Sequence, residues 1–473
     1  MILERLTKRK IKKLLPYFQA QNFRLCNYSA GVLFMWNKVL SPEYAIIEDC
    51  LIIKETYDKI SCFYYPISLS HNESNEILAL GKIEEYCKEH HLKLRFTDIP
   101  ESKIEFLVKR YGADLHVYNS RQWRDYLYLA ENFKTYAGGA FSGQRNHVNK
   151  FKKTYPDYKF TACACSGDCS ILNFLNEYES YQMAKGNISA TTEMKSAKEL
   201  MPHVKEFKMM CGYITVGGKI IAVSVGEKCG DTLIVHIEKA LHEYQGVYPT
   251  IAQEFANAYA TGDIKYINRE DDSGDLGLRK SKLNYLPWQV ANKYSIEVNL
   301  AIDSVKKLPI LYTERLTLCE VKEKDASDYA NLAKDLNLNK YWGYDWQKDF
   351  KDGEPEDIWF LKSARSDFKK KEEMPLGIYL QNVLIGEVVL HNFGYSQDAE
   401  IGVRLLQKYQ GQGFAKEALY AYMRYAFSEL NLEKIHAKCF KQNDASAKSL
   451  QSAGLRKIGE DDTYFYFLKT PAM

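Results

Sequence analysis

Glu400-Ile401-Gly402-Val403-Arg404-Leu405-Leu406-Gln407-Lys408-Tyr409-Gln410-Gly411-Gln412-Gly413-Phe414-Ala415 is the stretch on which the reading of this chain turns. Its first half reads as a strand, Ala399–Leu406, and its last residue opens a helix, Ala415–Leu430. Between them stand Gln410, Gly413 and Ala415 in a Q-x-x-G-x-A spacing. A helix N-terminus presents backbone N–H groups that have no intrahelical partner and carry partial positive charge. Small residues there let the backbone approach a pyrophosphate closely. The spacing is that of an anion cradle, with a ligand-free tight turn as the competing reading. The Walker lysine and the three-glycine dinucleotide fingerprint are both absent, which disfavours those nucleotide-binding readings.

Working outward, strand Thr317–Val321 precedes helix Lys324–Leu336. A hairpin follows, Leu376–Leu380 and Leu384–His391, turning at Gln381-Asn382-Val383. After the quoted stretch come strand Lys434–Phe440, helix Asp444–Ser452 and strand Thr463–Leu468. This C-terminal part resembles the GNAT acetyltransferases, and more narrowly the subfamily of the ribosomal-protein-alanine N-acetyltransferases. The resemblance rests on Thr313-Glu314-Arg315-Leu316-Thr317-Leu318, Asp325-Ala326, Ile385-Gly386-Glu387, the quoted stretch, and Asn443, Ser446, Gly454 and Leu455, in that order. It covers about the last 160 residues.

The resemblance implies an acetyl transfer from acetyl-CoA to an amine. Coenzyme A would thread between strands Glu400–Leu406 and Lys434–Phe440, which splay apart in that fold. Its pantetheine arm would bond to the backbone of Val403, Arg404 and Leu405. Its pyrophosphate would rest on the amides of Gln410, Gly411, Gln412, Gly413, Phe414 and Ala415. A backbone N–H near Arg404 or Leu405 would stabilise the developing oxyanion. Glu400 is the first candidate for the base that takes the amine proton, with Glu387 second and an exposed strand carboxylate as the plain reading of Glu400. Asn443 is a candidate cofactor contact or a helix N-cap, two roles that coexist. Leu450 stands where many such enzymes carry a tyrosine, so the acid that protonates the leaving thiolate is Ser446, water or no group at all. Cys319 replaces an arginine common after the first strand, which weakens any inference about ribosomal-protein substrates.

Further out, residues 1–120 show strands Tyr44–Ile53 and Ser61–Pro66 and helix Ser74–His90. Residues 121–303 show strand Tyr126–Leu129, helix Gln144–Thr154, strand Tyr158–Cys165, helix Cys169–Met183, and the hairpin Met210–Val216 and Lys219–Glu227 joined at Gly217-Gly218. Strand Thr232–Glu238, helix Pro249–Ala260 and strand-like Tyr294–Ile302 complete them. The order hairpin, strand, loop, helix occurs in both parts, which points to an internal duplication. Residues 20–300 resemble the cytosolic relatives of the catalytic domain of phosphatidylglycerol lysyltransferases. Leu33-Phe34-Met35-Trp36, Phe63-Tyr64-Tyr65-Pro66, Asp125-Tyr126-Leu127-Tyr128, Gly143–Phe151, Glu238-Lys239-Ala240 and Asn268–Pro287 carry that resemblance.

That family is a tandem of two GNAT-like units. The expected architecture is therefore α/β (α+β): three GNAT-like units, each a mixed, mostly antiparallel sheet flanked by helices, at 1–120, 121–303 and 309–473. A second site is expected around Arg145, Glu238, Arg269, Asp272, Arg279 and Lys282. Its cations would receive a polyanion such as an aminoacyl-tRNA end, and its carboxylates would orient an α-amino group. The alternating signs from Arg269 to Lys282 also fit a loop held by its own ion pairs. The loop His242–Val247 has no Q-x-x-G-x-A counterpart, so acetyl-CoA is not expected there, and the missing membrane-spanning half argues against a lipid substrate.

Bulk properties bound these readings. At 473 residues the chain holds two to four domains, and 46% hydrophobic content suffices for packed cores. A formal charge of +3 is too small to argue for nucleic acid alone. Eleven cysteines without paired spacing read as thiols of a reducing, cytoplasmic setting. Cys163, Cys165 and Cys169 lack the spacing and the fourth ligand of a zinc site, and no metal is expected. No apolar run reaches a membrane span. The first helix, with Leu3, Leu6, Ile11, Leu14, Leu15 and Phe18 at helical spacing, reads as packed rather than membrane-bound. The expected function is acetyl transfer to an amine of a small molecule, peptide or protein N-terminus. The alternatives are an aminoacyl-tRNA-dependent transfer through 121–303, or a recognition module fused to an acetyltransferase. The acceptor loop expected at Lys340–Trp346 is open between binding and packing.

Overall fold

The computed structural model describes residues 1–112, 115–163, 169–184, 190–341, 347, 350 and 355–471. Cys165 and most of the Lys340–Trp346 loop lie outside them. The chain forms two compact units, Met1–Phe106 with His116–Glu297, and Leu107–Leu115 with Val298–Met473. Three sheets run through the described residues. Each is mostly antiparallel, is flanked by helices and contains one parallel pair, as expected of three GNAT-like units.

The third sheet has the order Leu311–Tyr312, Leu316–Cys319, Glu373–Leu380, Val383–Gly394, Asp398–Leu405, Lys434–Phe440, Tyr464–Lys469, Arg456–Glu460. Strand alternation sorts its side chains. Met374, Leu376, Val388, Leu390, Ile401, Ile435 and Ala437 share one face, where helix Phe414–Ser428 lays Ala418, Leu419, Tyr422 and Ala426 against them. The opposite face carries Glu387, Glu400 and Arg404. Part of it is covered by an apolar patch from helices Ala326–Lys334 and Glu356–Lys369, among them Tyr329, Ala330, Phe360 and Leu361. The polar residues of the quoted stretch therefore point away from the helix that the stretch opens.

The second sheet has the order Gln289–Ala291, Asp125–Leu129, Tyr266–Asn268, Thr232–Ala240, Lys219–Cys229, Met210–Val216, Lys159–Cys163. The first runs Glu4–Arg5, Glu43–Ile47, Cys50–Tyr57, Ile60–Phe63, Leu94–Pro100, Lys293–Val298, His116–Tyr118. One strand crosses between these two sheets. In the third sheet the place beside the parallel strand belongs to that unit's own last strand, Tyr464–Lys469. In the second sheet it is taken by Asp125–Leu129, which directly follows the first sheet's residues. In the first sheet it is taken by Lys293–Val298, from the far end of the second.

Several elements differ from the sequence reading. The apolar run Tyr44–Ile53 is a hairpin of two strands, Glu43–Ile47 and Cys50–Tyr57. Its turn uses Glu48 at φ 51°, and the Asp49 carboxylate accepts bonds from Ser68, Ser70 and Asn75, so no glycine or proline marks it. The strand expected to reach Ile302 ends at Val298, and a 3-10 turn follows at Ala301–Ser304. Ile302, read as the end of that strand, and Val305, between the expected units 121–303 and 309–473, are buried in the core of the third sheet's unit. The first helix, Lys8–Ala20, buries Ile11, Leu14, Leu15, Tyr17 and Phe18. Among the described residues no helix is long and apolar enough to cross a membrane.

Candidate functional site

The parallel pairing of Asp398–Leu405 with Lys434–Phe440 runs through Asp398↔Lys434, Ala399↔Ile435 and Glu400↔His436, and stops there. Beyond Glu400 the first strand stays paired only on its other side, to Val383–Gly394. The Leu406 N–H donates to the Ile385 carbonyl at 2.9 Å. Alternation along an antiparallel ladder then turns the Arg404 amide the same way and leaves those of Val403 and Leu405 facing the gap. The expected backbone set Val403, Arg404, Leu405 narrows accordingly.

The gap ends at the glycine loop. The Gln410 side chain donates to the Leu405 carbonyl at 2.9 Å, tying the loop to the strand's open edge. Gly411 and Gly413 sit at φ 74° and 82°, where a side chain is strained. A Cβ at Gly411 would meet open space. Gly413 caps helix Phe414–Ser428, so the first amides of that helix, at Phe414 and Ala415, lie beyond it without intrahelical partners. Gln412 donates from its side chain to the Lys408 carbonyl at 3.0 Å, which closes the loop on itself.

The carboxylates divide by environment. Glu387 is buried and consumed: Arg404 Nη2 reaches its Oε2 at 2.7 Å and the Tyr329 hydroxyl donates to its other oxygen. Arg404 also donates to Asn339 at 2.6 Å. Glu400 sits at the last paired position, with Asn392 Nδ2 at 3.0 Å and Lys438 Nζ at 3.5 Å. Its side chain retains 17% exposure, so it remains reachable. Asn443 is the N-cap of helix Asp444–Ser452, accepting from the Ser446 N–H at 3.1 Å. Ser446 neighbours the Cys439 thiol, which burial pushes up. Leu450 is buried in the core.

The second unit repeats the divergence and closes it. Its parallel pairing runs from Thr232↔Tyr266 to Ile234↔Asn268 and stops. The space beyond is filled by the unit's own charges. Arg269 Nη2 meets Glu238 at 2.5 Å, and its guanidinium lies 4.7 Å over the Tyr285 ring. The fully buried Asp272 accepts Arg279 Nε and Nη2 at 2.9 and 2.8 Å, Arg121 at 3.2 Å and the Tyr126 hydroxyl at 2.7 Å. Lys282 Nζ donates to the carbonyls of Arg269, Glu270 and Asp271. Arg145 donates to the carbonyls of Tyr136 and Gly138. The helix end is covered too: Gly246 caps helix Val247–Tyr259, and a Cβ there would collide with the His147 carbonyl.

Two buried clusters join residues of the quoted runs, Asp125, Glu270 and Asp271, to partners outside the sequence reading. His236 donates or accepts at 2.9 Å to Glu227 and at 2.8 Å to Glu270. Burial alone would lower its pKa, but the bonds and charges of the two carboxylates outweigh burial and hold it up at about 9. The ligand-type atoms of Cys26, Asp125 and Asp271 lie within 4.8 Å of one another, and the Lys293 ammonium stands among them, 2.7 Å from Asp125 and 3.4 Å from Cys26. Cys26, Glu227, His236 and Lys293 are single letters, the outermost 267 positions apart, and no spacing announces them.

The family model described as phosphatidylglycerol lysyltransferase, C-terminal, matches residues 19–297. A GNAT acetyltransferase domain model matches residues 315–456. The chain therefore belongs to the family of phosphatidylglycerol lysyltransferase C-terminal domains, and it carries a GNAT acetyltransferase domain behind that part. The uncharacterized N-acetyltransferase YnaD of Bacillus subtilis is 28% identical over 152 residues, 31% of this chain and 82% of that protein. The uncharacterized N-acetyltransferase p20 of Bacillus licheniformis is 30% identical over 159 residues, 32% and 83% respectively. A solved structure of a conserved protein of unknown function from Bacteroides thetaiotaomicron has a TM-score of 0.59 at 26% identity, covering 63% of this chain and all of that one. At the family level the C-terminal unit is an N-acetyltransferase domain of the GNAT type.

Proposed function

We propose that residues 309–473 acetylate a primary amine, on a small molecule, a peptide or a protein N-terminus, by direct transfer within a ternary complex. The observation that carries this reading is the gap beyond Glu400↔His436, which leads to a helix end where Gly411 leaves open space. The same place in the second unit is filled. Acetyl-CoA, when bound, supplies the acyl group activated as a thioester.

The chain's residues do the rest. The Val403 and Leu405 amides face the gap and hold the pantetheine arm, and one of them polarises the thioester carbonyl. The amides of Gly411 to Ala415 hold the diphosphate at the helix end. Glu400 takes the amine proton at its carboxylate, because Glu387 is committed to Arg404 and Tyr329. Asn443 fixes the helix that carries Ser446, whose hydroxyl donates to the departing thiolate. An aminoacyl-tRNA role for residues 121–303 needs cations free to meet a polyanion. Arg279 and Lys282 are engaged within their own loop, so that unit reads as support or recognition.

Calorimetric titration of the whole chain with acetyl-CoA tests the reading. Binding at micromolar concentration is expected, and Gly413→Asp should abolish it by placing a carboxylate at the helix end. Absence of binding to the native chain would overturn the proposal. A screen of primary amines by thiol release should then show turnover that falls at least about a hundredfold in Glu400→Gln, the order expected for losing a general base.

A further inference from the structure

Arg315 belongs to none of the roles assigned above, yet it lies against the glycine loop. Its guanidinium sits 4.4 Å over the Phe414 ring, and Nη1 donates to the Gln412 carbonyl at 3.1 Å. Nε and Nη2 reach the Glu417 carboxylate at 2.8 and 2.7 Å. The other oxygen of Glu417 accepts the Thr313 hydroxyl at 2.5 Å and the Arg315 N–H at 2.9 Å. A Cβ at Gly413 would lie 3.4 Å from Nη2.

Glu417 poses an electrostatic problem for an anion site. It stands in the first turn of helix Phe414–Ser428, where its charge opposes any phosphate at that helix end. Arg315 cancels that charge. A guanidinium has five N–H groups. The contacts with Glu417 and Gln412 leave one hydrogen on each terminal nitrogen. The side chain is 42% exposed, so these hydrogens are open to a ligand arriving at the loop. A planar fork with two outward hydrogens matches phosphate oxygens better than any single ammonium does.

We infer that Arg315, held by Thr313 and Glu417, is a further binding residue for the phosphate groups of a coenzyme-A-type ligand. The inference rests on the reading of the loop given under Proposed function. It makes the bend before strand Leu316–Cys319 part of the phosphate site, although that bend lies far from the loop in sequence.

The test is calorimetry of the full chain with three probes: coenzyme A, 3′-dephospho-coenzyme A and pantetheine, which has no phosphate. In Arg315→Gln, coenzyme A affinity should fall at least about tenfold, the order of one charge-assisted bond to phosphate. Pantetheine affinity should not change. Arg315→Lys keeps the charge without the fork and should lie between, which preserves the test if the Gln variant folds poorly. The 3′-dephospho probe separates the contacts: an unchanged loss places Arg315 on the diphosphate, a vanished one on the 3′-phosphate, and both support the inference. Native-like coenzyme A binding by Arg315→Gln, or equal loss for pantetheine, would overturn it. If the native chain binds no coenzyme A, the underlying reading fails instead, a distinct result.

Discussion

At the residue scale, the two carboxylates on the open face of the third sheet have opposite fates. Glu387 is nearly sealed with Arg404, and removing one partner of such a pair leaves a charge buried without its counterpart. Glu387→Ala should therefore cost about 3–5 kcal/mol of stability. Glu400→Ala should cost under about 1 kcal/mol, since its contacts are partly exposed. Thermal melting of both variants against the native chain checks the contrast, and equal losses would refute it. The division was not legible in sequence. Glu387 and Glu400 both read as strand carboxylates, and what separates them is the register Glu387↔Arg404, a pairing no local pattern encodes. The passage from strand to helix at Gly413, by contrast, was legible because a left-handed cap is local, whereas the side-chain tie of Gln410 to the Leu405 carbonyl was not read. Arg315 was quoted for its strand and missed for its charge, because its partner Glu417 lies about a hundred positions on.

At the element scale, what the sequence reveals depends on punctuation. The Gly217-Gly218 hairpin and the strand Lys434–Phe440 appear where expected, since glycine pairs and clean alternation mark them. The hairpin at Glu48 and the strand Arg456–Glu460 do not, the first for want of a glycine and the second because its residues are all exposed and polar or mixed. Strand Thr232–Ala240 holds the least legible feature, His236 clamped to Glu227 on its neighbouring strand and to Glu270 on the following loop. Its folded pKa of about 9 exceeds the ordinary 6.5. The clamp's contribution to stability is then complete below about pH 6.5 and is lost as pH rises through about 9. Melting temperatures of the native chain and of His236→Gln should converge between those values, and parallel curves would show that the imidazole does not titrate there.

At the scale of the whole molecule, a tandem of units reads from sequence as a string of beads, one fold after another. The repeated order of hairpin, strand, loop and helix supports that picture, and the third unit obeys it by keeping its own last strand. The first two do not, because Lys293–Val298, from the end of residues 121–303, completes the first sheet. Residues 1–120 alone should thus give no cooperative melting transition by circular dichroism, and a sharp transition would contradict the crossing. The crossing also has a consequence in time. The slot between Leu94–Pro100 and His116–Tyr118 waits for a strand that lies almost two hundred residues downstream. At a synthesis rate of roughly 5–20 residues per second, the nascent first sheet carries two unsealed edges for roughly 10–40 seconds. During that interval the growing chain offers its backbone to any passing strand, so the ribosome-bound half, rather than the finished protein, is where this architecture is most exposed to aggregation and most in need of a chaperone.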